Sequence, residues 1–178
     1  DPLLVELAGA GGNVVIVGGP LSGKTTILRS MIASLALTHT PREVQFFCLD
    51  FGGGALRAVE RLPHVSGVSG RRDTEGVRRT VAEVVTLLDE RELRFNQYGI
   101  DSMAGYRRRR AAGEFADDPF GDVFLVVDGW NTLRQDYEEL EQTITTLAGR
   151  GLGFGIHVVL TAARWAEVRI GMRDLLGT

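Results

Sequence analysis

Gly18-Gly19-Pro20-Leu21-Ser22-Gly23-Lys24-Thr25 is the stretch that decides the fold of this chain, a complete phosphate-binding loop of the form Gly-x-x-x-x-Gly-Lys-Thr. It follows the apolar run 13–17, which reads as a buried strand. It precedes 25–37, where Ile27, Leu28, Met31, Ile32 and Leu35 recur at helical spacing. In that strand–loop–helix order, glycines let successive backbone N–H groups turn inward toward an anion, and the helix start adds its positive dipole end. Lys24 is expected to neutralise the β- and γ-phosphates of a nucleotide, with the Thr25 hydroxyl on Mg²⁺. Gly18, Gly19, Pro20, Leu21, Ser22, Gly23, Lys24, Thr25 and Thr26 are thus the expected nucleotide-binding residues, and ATP with Mg²⁺ the expected ligands. The competing reading, a glycine turn that merely caps a helix, leaves the full pattern in this context unexplained.

The chain has 178 residues, 44% of them hydrophobic, enough for one sizeable core, and it carries neither an internal repeat nor a low-complexity tract. Residues 1–178 are expected to form one domain, cut from a longer chain. Cys48, the single cysteine, lies in the apolar run 44–49, which points to a buried thiol in a reducing, cytosolic setting. No apolar run approaches the ~20 residues of a membrane span, and the start lacks the marks of a signal peptide. A net charge of −3 argues against DNA as a partner.

Strand and helix patterns alternate from end to end. Strands are predicted at 44–49, 64–68, 123–127 and 156–161, and helices at 56–62, 74–95, 102–112, 137–147 and 167–176. Asp73-Thr74-Glu75 opens the long helix and Gly99 ends it. Alternation of this kind means an α/β fold, a largely parallel central sheet sandwiched between helices, with ligand at the carboxyl ends of the strands. At least one strand is expected between the phosphate loop and Asp128, as in the RecA-like P-loop NTPases. Asp128 ends the run Val123-Phe124-Leu125-Val126-Val127, where it would hold Mg²⁺ through water, so Thr25 and Asp128 are the expected metal residues.

A wider set of landmarks resembles the FtsK/SpoIIIE motor superfamily. They are Leu62-Pro63-His64-Val65, Asp73, Glu90-Arg91 with Arg94 and Phe95, Gly99-Ile100-Asp101-Ser102, Tyr106, and Gly155-Ile156-His157-Val158-Val159-Leu160. Within it, Leu49-Asp50-Phe51-Gly52-Gly53-Gly54, the run 117–130 and Arg164-Trp165 resemble the EccC family, the ATPases of type VII secretion, and more narrowly the second of their three tandem ATPase modules. The resemblance implies neighbouring ATPase modules in the same chain, and small helical secreted substrate proteins with a Trp-Xaa-Gly turn as partners of the parent ATPase. It also implies a cytoplasmic location, with the membrane reached only through a membrane-anchored parent.

Departures from the motor pattern are as informative. Active motors place a glutamate after the aspartate to polarise the attacking water, and here that position is Gly129. They end the Gly-Ile-His strand in Thr-Gln-Arg, and here the stretch is Ala162-Ala163-Arg164. Losing a positioned base costs ~10²–10⁴ in rate, while binding depends mainly on the loop and metal. The expectation is a nucleotide-binding, slow or non-hydrolysing, regulatory module with no confident catalytic residue, and Gly129→Glu with Ala163→Gln is expected to raise hydrolysis. The alternatives are a DNA-translocating motor and a nucleotide-free interaction module.

Other residues carry two readings each. Arg164 and Arg150 could contact a γ-phosphate as arginine fingers or sit in surface salt bridges. Trp130 and Trp165 could cover the site, form an interface or fill the core. Asp50 could face the site or cap the glycine turn after it. His64 and His157, each beside apolar residues without a partner at ligand spacing, read as structural. Arg107 to Arg110 point in different directions on a helix and so form no single nucleic-acid stripe.

Overall fold

The computed structural model describes residues 5–7 and 12–177. Five parallel strands form one sheet in the order β1-β5-β4-β2-β3, comprising β1 (Val14–Val17), β2 (Val44–Asp50), β3 (Val65–Gly70), β4 (Asp122–Asp128) and β5 (Ile156–Ala162). The expected α/β architecture is present, and β5 is the strand interposed between β1 and β4. Alternate residues of each strand face opposite layers. Phe47, Leu49, Leu125, Val127, Val158 and Leu160 pack under α2 (Thr74–Tyr98), α4 (Trp130–Asp136) and α5 (Glu138–Arg150). Phe46, Cys48, Phe124, Val126 and Val159 pack under Leu28 and Ile32 of α1 (Lys24–Thr38), beside a 3₁₀ turn at Ala55–Val59. Because both faces are covered at the centre of the sheet, β4 and β5 read as nearly continuous apolar runs, whereas the edge strand β3 alternates valine with serine and glycine. Cys48 is buried as expected, and desolvation pushes its thiol up to about 12, so it stays protonated and inert.

The predicted elements exist, with three corrections. The helix expected at 56–62 is only the 3₁₀ turn Ala55–Val59, held by the Leu56 N–H bond to Asp50 Oδ2 at 2.9 Å. The helical stretch after β4 is broken at Tyr137 (φ −139°), which leaves the helix to bury its ring 5.7 Å from Phe51; α4, before the break, went unpredicted because only Trp130 and Leu133 mark its inner face. The closing helix shrinks to α6 (Ile170–Arg173), because fully buried Val168 draws the chain before it into an extended conformation.

The motor-family landmarks tie the strand starts together, at the pole opposite the phosphate loop. Arg91 of α2, 2% exposed, donates to the carbonyls of Gly121 (2.7 Å), Phe120 (2.8 Å) and Phe154 (2.9 Å) and pairs with Asp118, which also accepts from the Tyr106 hydroxyl on α3 (Met103–Ala111). Arg107 bonds Asp122 at 2.7 Å, Arg109 bonds Glu114 at 2.7 Å, and Arg110 bonds the Asp118 carbonyl at 2.7 Å, so three of the four arginines are held by neighbours.

Asp122 also accepts from His157 at 3.0 Å. Burial opposes its ionisation, but the His157 and Arg107 hydrogen bonds outweigh burial and hold the carboxyl at about 2. A carboxyl whose pKa is depressed on folding stabilises the fold above its unfolded pKa of ~3.9 and loses that contribution as pH falls toward the folded value. Asp122→Asn is therefore expected to cost about 2 kcal/mol at pH 7 and about half of that at pH 3. Urea midpoints of both proteins at the two pH values check this, and an unchanged difference rules the ion pairing out as its source.

Candidate nucleotide site

The loop after β1, the glycine turn after β2 and the ends of β4 and β5 converge on one cleft of about 660 Å³ at the carboxyl edge of the sheet. Pro20, Leu21, Ser22, Gly23, Lys24, Thr25 and Thr26 line one side, and Gly52, Asp128, Gly129, Trp130, Asn131, Thr132, Thr161, Ala162, Ala163 and Glu167 line the rest. Lys24 Nζ donates to the carbonyls of Gly18 at 2.6 Å and Gly19 at 2.7 Å, which places the ammonium within the turn. No side chain caps the α1 N-terminus and no acid lies in its first turn, so its first N–H groups remain available to an anion.

Thr25 Oγ1 donates to Asp128 Oδ2 at 2.6 Å. Because the carboxylate can only accept, the hydroxyl hydrogen is committed to Asp128, leaving the Thr25 lone pairs free for a cation. Oxygen donors of this kind, beside an ammonium and open helix N–H groups, suit a hard divalent ion bound with a polyphosphate. The approach is close: a Cβ at Gly52 would lie 2.5 Å from Asp128 Oδ2, so only glycine fits there.

The position after Asp128 is closed to a side chain by its backbone. Gly129 sits at φ +100°, and a Cβ there would meet Phe51 Cβ at 3.0 Å. L-residues are strained in this region at about 1–3 kcal/mol. A glutamate at position 129 must carry that strain before it can reach a water, which limits the gain expected of Gly129→Glu. Ala163, in the place of the motor glutamine, donates its N–H to Glu167 Oε2 at 2.9 Å.

Several other residues resolve to one of their two readings. Asp50 caps the turn, accepting from the N–H groups of Gly52 (3.0 Å), Gly54 (3.2 Å) and Leu56 (2.9 Å), so it is no base. Trp130 is fully buried in the core and also lines the cleft, whereas Trp165 is half-exposed under the Arg173 guanidinium at 5.2 Å. Arg164 lies outside the cleft wall with its side chain 84% exposed, 3.8 Å from Glu167, although Ala163 before it lines the cleft. Arg150 pairs with Glu92 at 2.6 Å on the surface. His64 bonds the His39 carbonyl, and His157 bonds the Gly12 carbonyl and stacks on Phe124 at 4.5 Å; both are structural, as expected.

Four polar cleft residues were not foreseen: Asn131, Thr132, Thr161 and Glu167. Thr161 carried a signal, a lone hydroxyl near the end of an otherwise apolar strand. Glu167 carried none, since only the turn after β5 brings it back. A second cleft of about 680 Å³ opens at the strand starts between Leu7, Leu35, Val44 and Phe124. Its three arginines, Arg42, Arg107 and Arg110, already donate to the Asp118 carbonyl, to Asp122 and to the Asp118 carbonyl respectively, so it offers no comparable anion cradle.

The sheet order, the loop and the Thr25–Asp128 contact define a P-loop NTPase domain. The model of the FtsK/SpoIIIE family matches residues 1–178, and the chain belongs to that family. It is 62% identical over 178 residues to the ESX secretion system protein EccC of Thermomonospora curvata, covering all of this chain and 14% of that protein. It is 51% identical over 177 residues to the ESX-4 secretion system protein EccC4 of Mycobacterium tuberculosis, covering 99% of this chain and 14% of that protein. It superposes with a TM-score of 0.97 on a solved structure of Thermomonospora curvata EccC (ATPases 2 and 3) in complex with a signal sequence peptide, at 62% identity over all of this chain and 32% of that one. The chain thus spans about a seventh of these two curated relatives. Among the described residues no helix is long and apolar enough to cross a membrane.

Proposed function

We propose that the chain is an ATP-binding module of a type VII secretion ATPase that hydrolyses slowly or not at all and regulates its neighbours. Gly18 to Thr26 would cradle the phosphates, Lys24 would neutralise them, and Thr25 with Asp128 would hold Mg²⁺. The bound ion would screen phosphate charge; the chain's own residues bind and orient. One observation carries the reading: an intact phosphate loop faces a strand end where the base position is a glycine with left-handed backbone. The identity to EccC along the whole chain supports the secretion role, and relatives several times longer than this chain support neighbouring modules in one polypeptide. In that setting the module lies on the cytoplasmic side of a membrane-anchored parent, and the parent meets the secreted substrates.

Direct titration tests this. Mg·ATP is expected to saturate a single site, and duplex DNA to bind weakly without the steep salt dependence of counterion release. No ATP binding at millimolar concentration leaves the interaction module as the reading, while submicromolar, salt-sensitive DNA binding returns the chain to the motors.

A further inference from the structure

We propose that Thr161 is a positioning residue of the metal subsite, fixing the rotation of the Asp128 carboxylate toward a divalent cation bound with the nucleotide. This rests on the nucleotide reading above. Thr161 is 1% exposed near the end of β5, between β1 and β4, in register with Ile16 of the strand that carries the phosphate loop. Its Oγ1 accepts from the Gly129 N–H at 2.8 Å and donates to Asp128 Oδ1 at 2.6 Å.

The direction of this chain is fixed by chemistry. An N–H can only donate, so the Thr161 oxygen must accept from Gly129, and its single hydrogen is left for Asp128. On the other side of the same carboxylate, Oδ2 accepts from Thr25 at 2.6 Å. Each oxygen of Asp128 therefore holds one buried or half-buried hydroxyl, and turning the carboxylate about its Cβ–Cγ bond breaks both contacts. The backbone of Gly52 walls the Oδ2 side, as the clash of a Cβ there shows. Only the remaining lone pairs stay open to a cation and its water. Valine has nearly the shape of threonine, and a buried hydroxyl costs free energy unless bonded, so packing alone gives no reason for threonine here.

Groups that orient a metal-binding side chain without touching the metal are worth ~10–100-fold in metal affinity. Dissociation constants for ATP, with Mg²⁺ and with EDTA, should be compared in the 178-residue chain and in Thr161→Val and Thr161→Ser. Thr161→Val is expected to lose ~10-fold or more of the affinity gained from Mg²⁺ while its EDTA value stays within about twofold; Thr161→Ser is expected to keep the parental ratio. An unchanged ratio in Thr161→Val overturns the inference, as does an equal loss in EDTA, which marks a structural role. If the parent itself gains nothing from Mg²⁺, the metal reading of Thr25 and Asp128 falls and the inference with it. Should Thr161→Val lack a cooperative melt, Thr161→Ala is judged by the same ratio.

Discussion

Lys24→Ala is expected to abolish nearly all of the thermal stabilisation by Mg·ATP while leaving the ligand-free melting temperature almost unchanged. A ligand that binds only the native state at a hundredfold excess over its Kd stabilises it by ~2.7 kcal/mol. On a domain of this size that is about 5–10 °C. The lysine ammonium would make charge-assisted hydrogen bonds to phosphate at ~1.5–3 kcal/mol each, so its loss weakens binding on the order of a hundredfold. At the same ATP concentration the variant then stands near its own Kd, where the gain is only ~0.4 kcal/mol, about 1 °C. The native fold loses little, because Lys24 is half-exposed and bonds only the carbonyls of Gly18 and Gly19. A variant that responds to Mg·ATP as the parent does places the phosphate site elsewhere.

How much of this was legible before the fold was known depended on how local each feature is. The phosphate loop is contiguous, and its glycines, lysine and threonine announce themselves in eight residues. Asp128 stood out because an acid ends an apolar run. The parallel sheet followed from alternation, since crossovers between parallel strands require helices. Thr161 and Glu167 could not be placed in this way. They enter the cleft because β5 lies between β1 and β4, and strand order is a property of the packed sheet. The tight wall at Gly52 arises from the same convergence, β2 lying beside β4 with Asp50 opposite Asp128. Short elements failed for a different reason. The seven residues of α4, with Trp130 and Leu133 buried, carry too little periodicity to show a helix, and the four residues of α6, with Met172 alone buried, carry too little to fix its ends. Arg91 was a landmark without a reason until its guanidinium was seen to satisfy three carbonyls and a carboxylate.

The unmodified chain is expected to bind ATP and turn it over far below the ~1–100 s⁻¹ of ordinary kinases, since a missing base alone accounts for ~10²–10⁴ in rate. Adding back the motor residues, Gly129→Glu with Ala163→Gln, is expected not to bring the rate into that range. Gly129 holds a backbone at φ +100°, where any other residue is strained, and a Cβ there would crowd Phe51 Cβ at 3.0 Å. The strain should show as a loss of about 1–3 kcal/mol in urea unfolding of the double variant. To relieve it the β4–α4 turn must flip to a negative φ, which breaks the Gly129 N–H bond to Thr161 and with it the hold on Asp128. Glycine here is therefore more than an absent acid: the turn around it is built so that an acid does not fit. Single-turnover hydrolysis by the contaminant-free parent at motor rates sinks this reading and demands a base in the cleft. Asp50 is excluded from that role by its three backbone N–H partners. Glu167 is then the residue to test as Glu167→Gln, because apart from Asp128 it is the one carboxylate that lines the cleft among the described residues.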